Sequence, residues 1–217
     1  MDIVLLYISS GLIIFSFISY FIMILIGRGR VVSKVDGFDV TKDIISEYNS
    51  INVIESKSYF TVYNINRKVI KLDTKCYYGK DLSSICLSLI EAGISVVDNK
   101  GNKYIDIFRK IFSNLKILYI FPIIAVFINN SSFNISDAKV SMIFILLFSV
   151  ITYILIDIKS QASMWISDNI KKIKGISKDN SLKIISFINR LILLDKFIFF
   201  GELIMIIRFV VILLYLI

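Results

Sequence analysis

The sequence predicts a mainly α-helical membrane protein with about four transmembrane helices and a small cytoplasmic α+β segment. Three observations lead there. Hydrophobic residues make up 56% of the 217 residues and the mean hydropathy is +0.77, whereas a soluble domain is about 45–50% apolar. Long uncharged runs alternate with segments of ordinary polarity. Nearly all Lys and Arg fall in two of those polar segments, 28–116 and 159–196. One proline, Pro122, and few glycines exclude a fibrous or disordered chain.

Residues 1–27 form the expected N-terminal anchor. Ile3 to Ile26 carry no charge, and about 20 such residues cross the hydrocarbon as a helix. A cleaved signal peptide would start with a basic region and a shorter apolar run. Here only Asp2 precedes the run, while Arg28, Arg30 and Lys34 follow it, which puts the C-terminal flank in the cytoplasm. The Gly27-Arg28-Gly29-Arg30 flank reads as an interfacial segment suited to anionic lipid.

Residues 28–110 read as the cytoplasmic α+β segment. Asp39 or Thr41 is expected to cap a helix running to about Tyr48. Strand-type runs follow at Ile51–Glu55, Tyr59–Tyr63 and Lys68–Leu72, the last two joined as a hairpin through Asn64-Ile65-Asn66. From Asp81, apolar residues Leu82, Ile85, Leu89, Ala92 and Val96 recur at helical spacing, which predicts a helix over 82–97. Glu91 sits on or beside that stripe. A buried carboxylate without a partner is costly, so Glu91 should face a cleft or find a partner; the plainer alternative is a solvent-facing residue.

Two transmembrane helices are expected within 111–158. The first is Ile117–Ile128, extended by Ile111–Leu115 if Lys116 snorkels; the second is Val140–Ile156. The loop 129–138 between them has no Lys or Arg. A cytoplasmic helical segment, 159–196, precedes a C-terminal transmembrane helix, 197–217. Positive charge collects on the cytoplasmic side, so both large polar segments lie there and both chain ends point to the other side. The second and fourth spans carry internal charge. Glu202 and Arg208 are functional candidates if they lie within a span. Their spacing places them about 120° apart on a helix. The favoured reading starts the span after Glu202 and pairs Arg208 with another helix.

The net charge of +8 does not indicate nucleic acid as partner, because the basic residues are spread and not interleaved with aromatics in one patch. The lipid bilayer is the expected partner. Cys76 and Cys86 read as reduced packing residues, since free cysteine behaves as a small hydrophobe. Without histidine they supply only half of a four-ligand zinc site.

Residues 90–94 read Ile90-Glu91-Ala92-Gly93-Ile94. A zinc hydrolase helix of the H-E-x-x-H type sets two imidazoles four residues apart on one face, with a Glu as general base. This segment keeps the Glu but has isoleucine at both imidazole positions. Other stretches fall in a matching order. Gly37-Phe38-Asp39-Val40-Thr41 opens the first helix where a G-x-T-G-like start would stand. Tyr63 matches a D-H-Y-D element in which Thr61, Val62 and Asn64 replace the other residues. Val69-Ile70-Lys71-Leu72 fits a V-x-L strand, and Tyr77–Ser83 fits a Y-x-G-x-S approach. Tyr104 and Arg109 fit Y-x-x-x-x-R. Lys159-Ser160-Gln161-Ala162-Ser163 fits a late E-F-x-A-S motif.

In that order, length and layout the chain resembles the small bacterial family of membrane-bound neutral zinc metallopeptidases, as a degenerate member lacking the zinc ligands. The resemblance implies that Ile90, Ile94 and Lys159 stand at the three ligand positions, with Asp157 an alternative for the third after a two-residue shift. Neither isoleucine offers a lone pair, and Lys159 adds a positive charge. No zinc or other cofactor is therefore expected, although zinc is the family's cofactor. No catalytic residue is assigned; Glu91 is vestigial. The resemblance further implies a Glu91–Lys159 ion pair in place of the metal. The leading reading is a catalytically inactive, multi-pass cell-membrane homologue that binds or scaffolds a membrane protein or peptide. The alternatives are an active peptidase with atypical ligands, a Ser/Lys mechanism using Ser160 or Ser163 with Lys159, and an unrelated four-span membrane protein. The last predicts no α+β segment packed on the spans and no approach of 159–163 to the 82–97 helix.

Overall fold

A computed structural model describes residues 2–48, 50–58, 60–102, 104–107, 120–129 and 135–215, with backbone alone at 129 and 135–137. It is mostly helical, with one small sheet. The elements are α1 (Asp2–Arg28), α2 (Gly37–Ile44), β1 (Asn52–Ser56), β2 (Val62–Asn64), β3 (Val69–Asp73), α3 (Thr74–Tyr78), α4 (Leu82–Asn99), α5 (Ile120–Asn129), α6 (Ile135–Asn169) and α7 (Lys178–Tyr215). A 3-10 turn, Ile170–Lys172, follows α6.

The chain divides into two compact units. One comprises 1–20, 117–156 and 193–217; the other comprises 21–116 and 157–192. The described residues of the first are all helical. Its core gathers Ile13 from α1, Ala125 from α5, Ala138, Ile145 and Phe148 from α6, and Ile198, Met205 and Phe209 from α7. Arg208 does pair with another helix: its Nε donates to Asp2 Oδ1 at 2.7 Å.

The second unit holds the α+β fold. Its sheet order is β1-β3-β2, with β1 parallel and β2 antiparallel to β3. The expected hairpin forms in the register Val62↔Lys71, Tyr63↔Ile70 and Asn64↔Val69. Strand β2 is shorter than expected, starting at Val62; Tyr59 lies outside the described residues. Three aspartates start three helices. Asp36, Asp73 and Asp81 accept the backbone N–H of Asp39, Cys76 and Ser84, at 3.0, 2.8 and 3.0 Å, each satisfying a donor that a helix start leaves orphaned. This corrects the first helix: its cap is Asp36, not Asp39 or Thr41, and it ends at Ile44, short of Tyr48. Thr41 is inside the helix, its hydroxyl donating back to Gly37 O. The five-residue α3, capped by Asp73, was not expected.

Helix α4 matches the 82–97 expectation and ends where Gly101 takes φ +81°, a left-handed conformation glycine adopts without cost. Among the described residues, four helices are long and apolar enough to cross a membrane: Asp2–Arg28, Leu82–Asn99, Ala138–Lys172 and Lys178–Tyr215. Three contain expected spans. Leu82–Asn99 was not expected among them; its window is 89% buried inside the protein, against 22% for Asp2–Arg28. It packs on β2, β3, α2 and α3. Of the expected 111–128 span, the structure describes α5; Ile111–Leu115 and Lys116 lie outside the described residues. Helices α6 and α7 continue through the positions where hydropathy changes, near 157–159 and 197. Between 135 and 169 there is neither proline nor glycine, and polarity alone does not stop a helix.

Candidate functional site around Glu91

The apolar stripe of Ile85, Leu89, Ala92 and Val96 is fully buried, and every residue of α4 except Leu87 and Asn99 is buried with it. This carries polar side chains into the core. Glu91 and Asp98 are 6% and 5% exposed. Their separation of seven residues, nearly two turns, puts both on one helix face. Strand β2 meets that face at Tyr63, itself 2% exposed. The Tyr63 backbone N–H donates to Glu91 Oε2 at 2.8 Å, and the Tyr63 hydroxyl donates to Asp98 Oδ2 at 2.6 Å. Glu91 therefore has a partner, and the solvent-facing alternative for it is excluded.

Beside this, Thr61 Oγ1 donates to Asp73 Oδ2 at 3.3 Å and accepts the Asp73 backbone N–H at 3.2 Å. The two carboxylates, Asp73 and Asp98, escaped the sequence reading. The signal for Asp98 was present: an acidic residue seven positions after Glu91 on an otherwise apolar helix.

Ile90 and Ile94, which the resemblance would set at imidazole positions, are 7% and 4% exposed. They present hydrocarbon where zinc would need nitrogen donors. Gly93 packs closely against α6. A Cβ built there would lie 2.9 Å from Ala162 Cβ, 3.1 Å from Ala162 O and 3.1 Å from Ile166 Cδ1. The I-E-A-G-I helix and the K-S-Q-A-S segment thus come together within one unit, through the glycine of the first and the alanine of the second. An approach of this kind is what the unrelated four-span alternative did not predict.

The other members of the late segment have local bonds. Gln161 Nε2 donates to Asp157 Oδ2 at 2.7 Å and Gln161 Oε1 accepts from Asn102 Nδ2 at 3.1 Å. Ser163 Oγ donates to Asn189 Oδ1 at 2.8 Å. Lys159 is half-buried, one turn before Ala162. Tyr104 begins a short helical turn, 104–107, while Arg109 lies outside the described residues. Neither cysteine is in a disulfide, both are buried, and Cys86 Sγ lies 3.7 Å from Ile184 O. Among the described residues, no three Cys, Asp or Glu side chains converge as a metal-holding group.

No family model, curated protein or solved structure matches this chain, so these comparisons do not link it to a zinc metallopeptidase family.

Proposed function

We propose that this is a multi-pass membrane protein that binds or scaffolds a membrane protein or peptide without cutting it, built on a metallopeptidase-like helix that has lost its zinc chemistry. The observation that carries the reading is the bond from the Tyr63 N–H to Glu91. A general base needs its carboxylate free to take a proton from metal-bound water. Glu91 instead accepts a backbone donor, between two buried isoleucines. The residues present do not fit zinc, and no step is routed through it.

The contact of Gly93 with Ala162 supports descent from a fold in which the late segment completes a site on the motif helix. It also bears on Lys159, which stands one turn from that contact. The ion pair of Lys159 with Glu91 belongs to this proposal, as a crosslink between α4 and α6 in place of a metal. A Ser/Lys mechanism is disfavoured by Ser163, whose hydroxyl donates to the Asn189 amide and not to a base.

The apolar helices support membrane placement. Along α1, Ile3, Tyr7, Ile14, Phe15, Phe21 and Ile26 are exposed, as suits a lipid-facing surface. The Asp2–Arg208 bond supports both chain ends on one side, the large polar segments being cytoplasmic in the cell membrane.

Elemental analysis of the detergent-purified protein, with Glu91→Ala as control, tests the proposal. Zinc at background in both samples is the expected result. Zinc near about one equivalent in the parent would overturn it and turn attention to Glu91, Cys86, Cys76 and Asp157 as ligands.

A further inference from the structure

We infer that Glu202, Thr152 and Ser149 form a buried site for a monovalent cation, a proton or a sodium ion, inside the all-helical unit. Glu202 is 0% exposed. Its Oε1 accepts a hydrogen bond from Thr152 Oγ1 at 3.0 Å, while its Oε2 has no partner among the described residues. Ser149 lies one turn before Thr152 on α6, so both hydroxyls share a helix face. It is 4% exposed, and its Oγ likewise has no partner. Two orphaned polar atoms thus lie on the two helices joined by one satisfied bond, in a unit whose apolar cluster is made of Ile, Phe, Met and Ala.

Such an arrangement is costly as it stands. A carboxylate removed from water needs a counter-charge or a proton, and buried polar atoms without partners commonly mark an unseen ion or water. Among the described residues, the neighbouring elements show no cation bonded to Glu202. From α6 come the hydroxyls of Thr152 and Ser149; Lys139, on the same helix, is exposed. Helix α5 has no charged side chain. On α1 the hydroxyls of Ser9 and Ser16 donate to their own backbone, at Leu6 O and Leu12 O. On α7 itself, Arg208 projects about 120° away from Glu202 and its Nε is bonded to Asp2. Asp195, seven residues before Glu202 on α7, is another acid.

The site also limits what fits. Gly201 lets α1 lie against α7 beside Glu202: a Cβ there would meet Ile13 Cγ1 at 2.7 Å and Ser9 O at 3.0 Å. Full burial excludes an organic cation or a partner's side chain. Calcium and magnesium call for six or more oxygens, and one carboxylate with two hydroxyls falls short. One unit of positive charge balances the single carboxylate.

The test is labelling of the full chain in detergent with dicyclohexylcarbodiimide, which adds to protonated carboxyls in apolar surroundings, across a pH series. Each pH is run with sodium chloride and with choline chloride at equal ionic strength, and adducts are located by mass spectrometry. The expected result is an adduct on Glu202 that is lost as pH rises. Additional loss in sodium identifies that ion as the occupant; equal labelling in both salts identifies the proton alone. A folded protein that gives no Glu202 adduct at any pH, or one insensitive to both pH and sodium, overturns the inference. Thr152→Val, which keeps the shape and Glu202 itself, should shift the pH at which labelling is lost. Glu202→Gln should abolish that adduct, and its gel-filtration profile reports whether it folds.

Discussion

Tyr63 reaches α4 twice: its backbone N–H donates to Glu91 at 2.8 Å and its phenol donates to Asp98 at 2.6 Å. One residue of a three-residue strand thereby fixes the register of the sheet on the helix, at two buried carboxyl groups on the same face. In a zinc hydrolase the motif glutamate serves chemistry. Here Glu91 serves the joint between sheet and helix.

Removing that acceptor should cost stability. Glu91→Ala leaves the Tyr63 N–H buried and unsatisfied, which costs about 1–3 kcal/mol. Glu91→Gln keeps an oxygen at the same reach and should cost less than Glu91→Ala. Denaturant unfolding in a fixed detergent ranks the two, and equal losses would contradict the role given to the carboxylate oxygen.

Tyr63→Phe removes only the phenol oxygen and takes one buried hydrogen bond from Asp98. A loss of about 1–3 kcal/mol is expected, with the Glu91 bond intact because that donor is backbone. Unfolding of Tyr63→Phe and Glu91→Gln, singly and combined, should show nearly additive losses.

Gly93 and Ala162 should behave as a packing pair. Gly93→Ala drives a methyl against Ala162 and should cost about 1–3 kcal/mol. Ala162→Gly opens room for that methyl, so the double variant should recover part of the loss, by about 0.5 kcal/mol or more. Strict additivity in the cycle would mean that the helices are free to part at this point.

Tyr78 gives a pH signature outside the apolar helices. Its hydroxyl donates to Glu55 Oε2 at 3.2 Å. That bond first, and then the charge of Glu55, hold the phenol above its ordinary 10.0. The folded value is raised, so the stabilisation is present below the unfolded value and is lost as pH rises through the folded one. Ultraviolet titration of the parent against Glu55→Gln should show one tyrosine transition moving to lower pH in the variant.

The sequence made some of this legible and hid the rest for physical reasons. Helix α4 was readable because Ile85, Leu89, Ala92 and Val96 repeat at helical spacing. The hairpin was readable because Asn64-Ile65-Asn66 interrupts two strand-type runs. The cap of α2 was missed because Asp36 and Asp39 both precede apolar residues, and only the backbone geometry distinguishes them. The extent of α6 and α7 was missed because hydropathy reports solvent, whereas helix continuity depends on breakers. At the site, Glu91 stood out by its motif. Its partner is a backbone N–H, which no side-chain pattern records. The orphaned Oε2 of Glu202 depends on which residues α6 presents, and spacing along α7 alone could not foretell that.

The most direct test installs the zinc ligands of the proposed ancestral site. Ile90→His, Ile94→His and Lys159→Glu together restore the donor set at the three positions assigned by resemblance. Zinc is then measured by elemental analysis in the parent and in the triple variant, both shown to be folded by gel filtration. Background zinc in the parent and about one equivalent in the variant is the predicted result. A folded variant with zinc at background, or a parent that already carries it, would contradict the account.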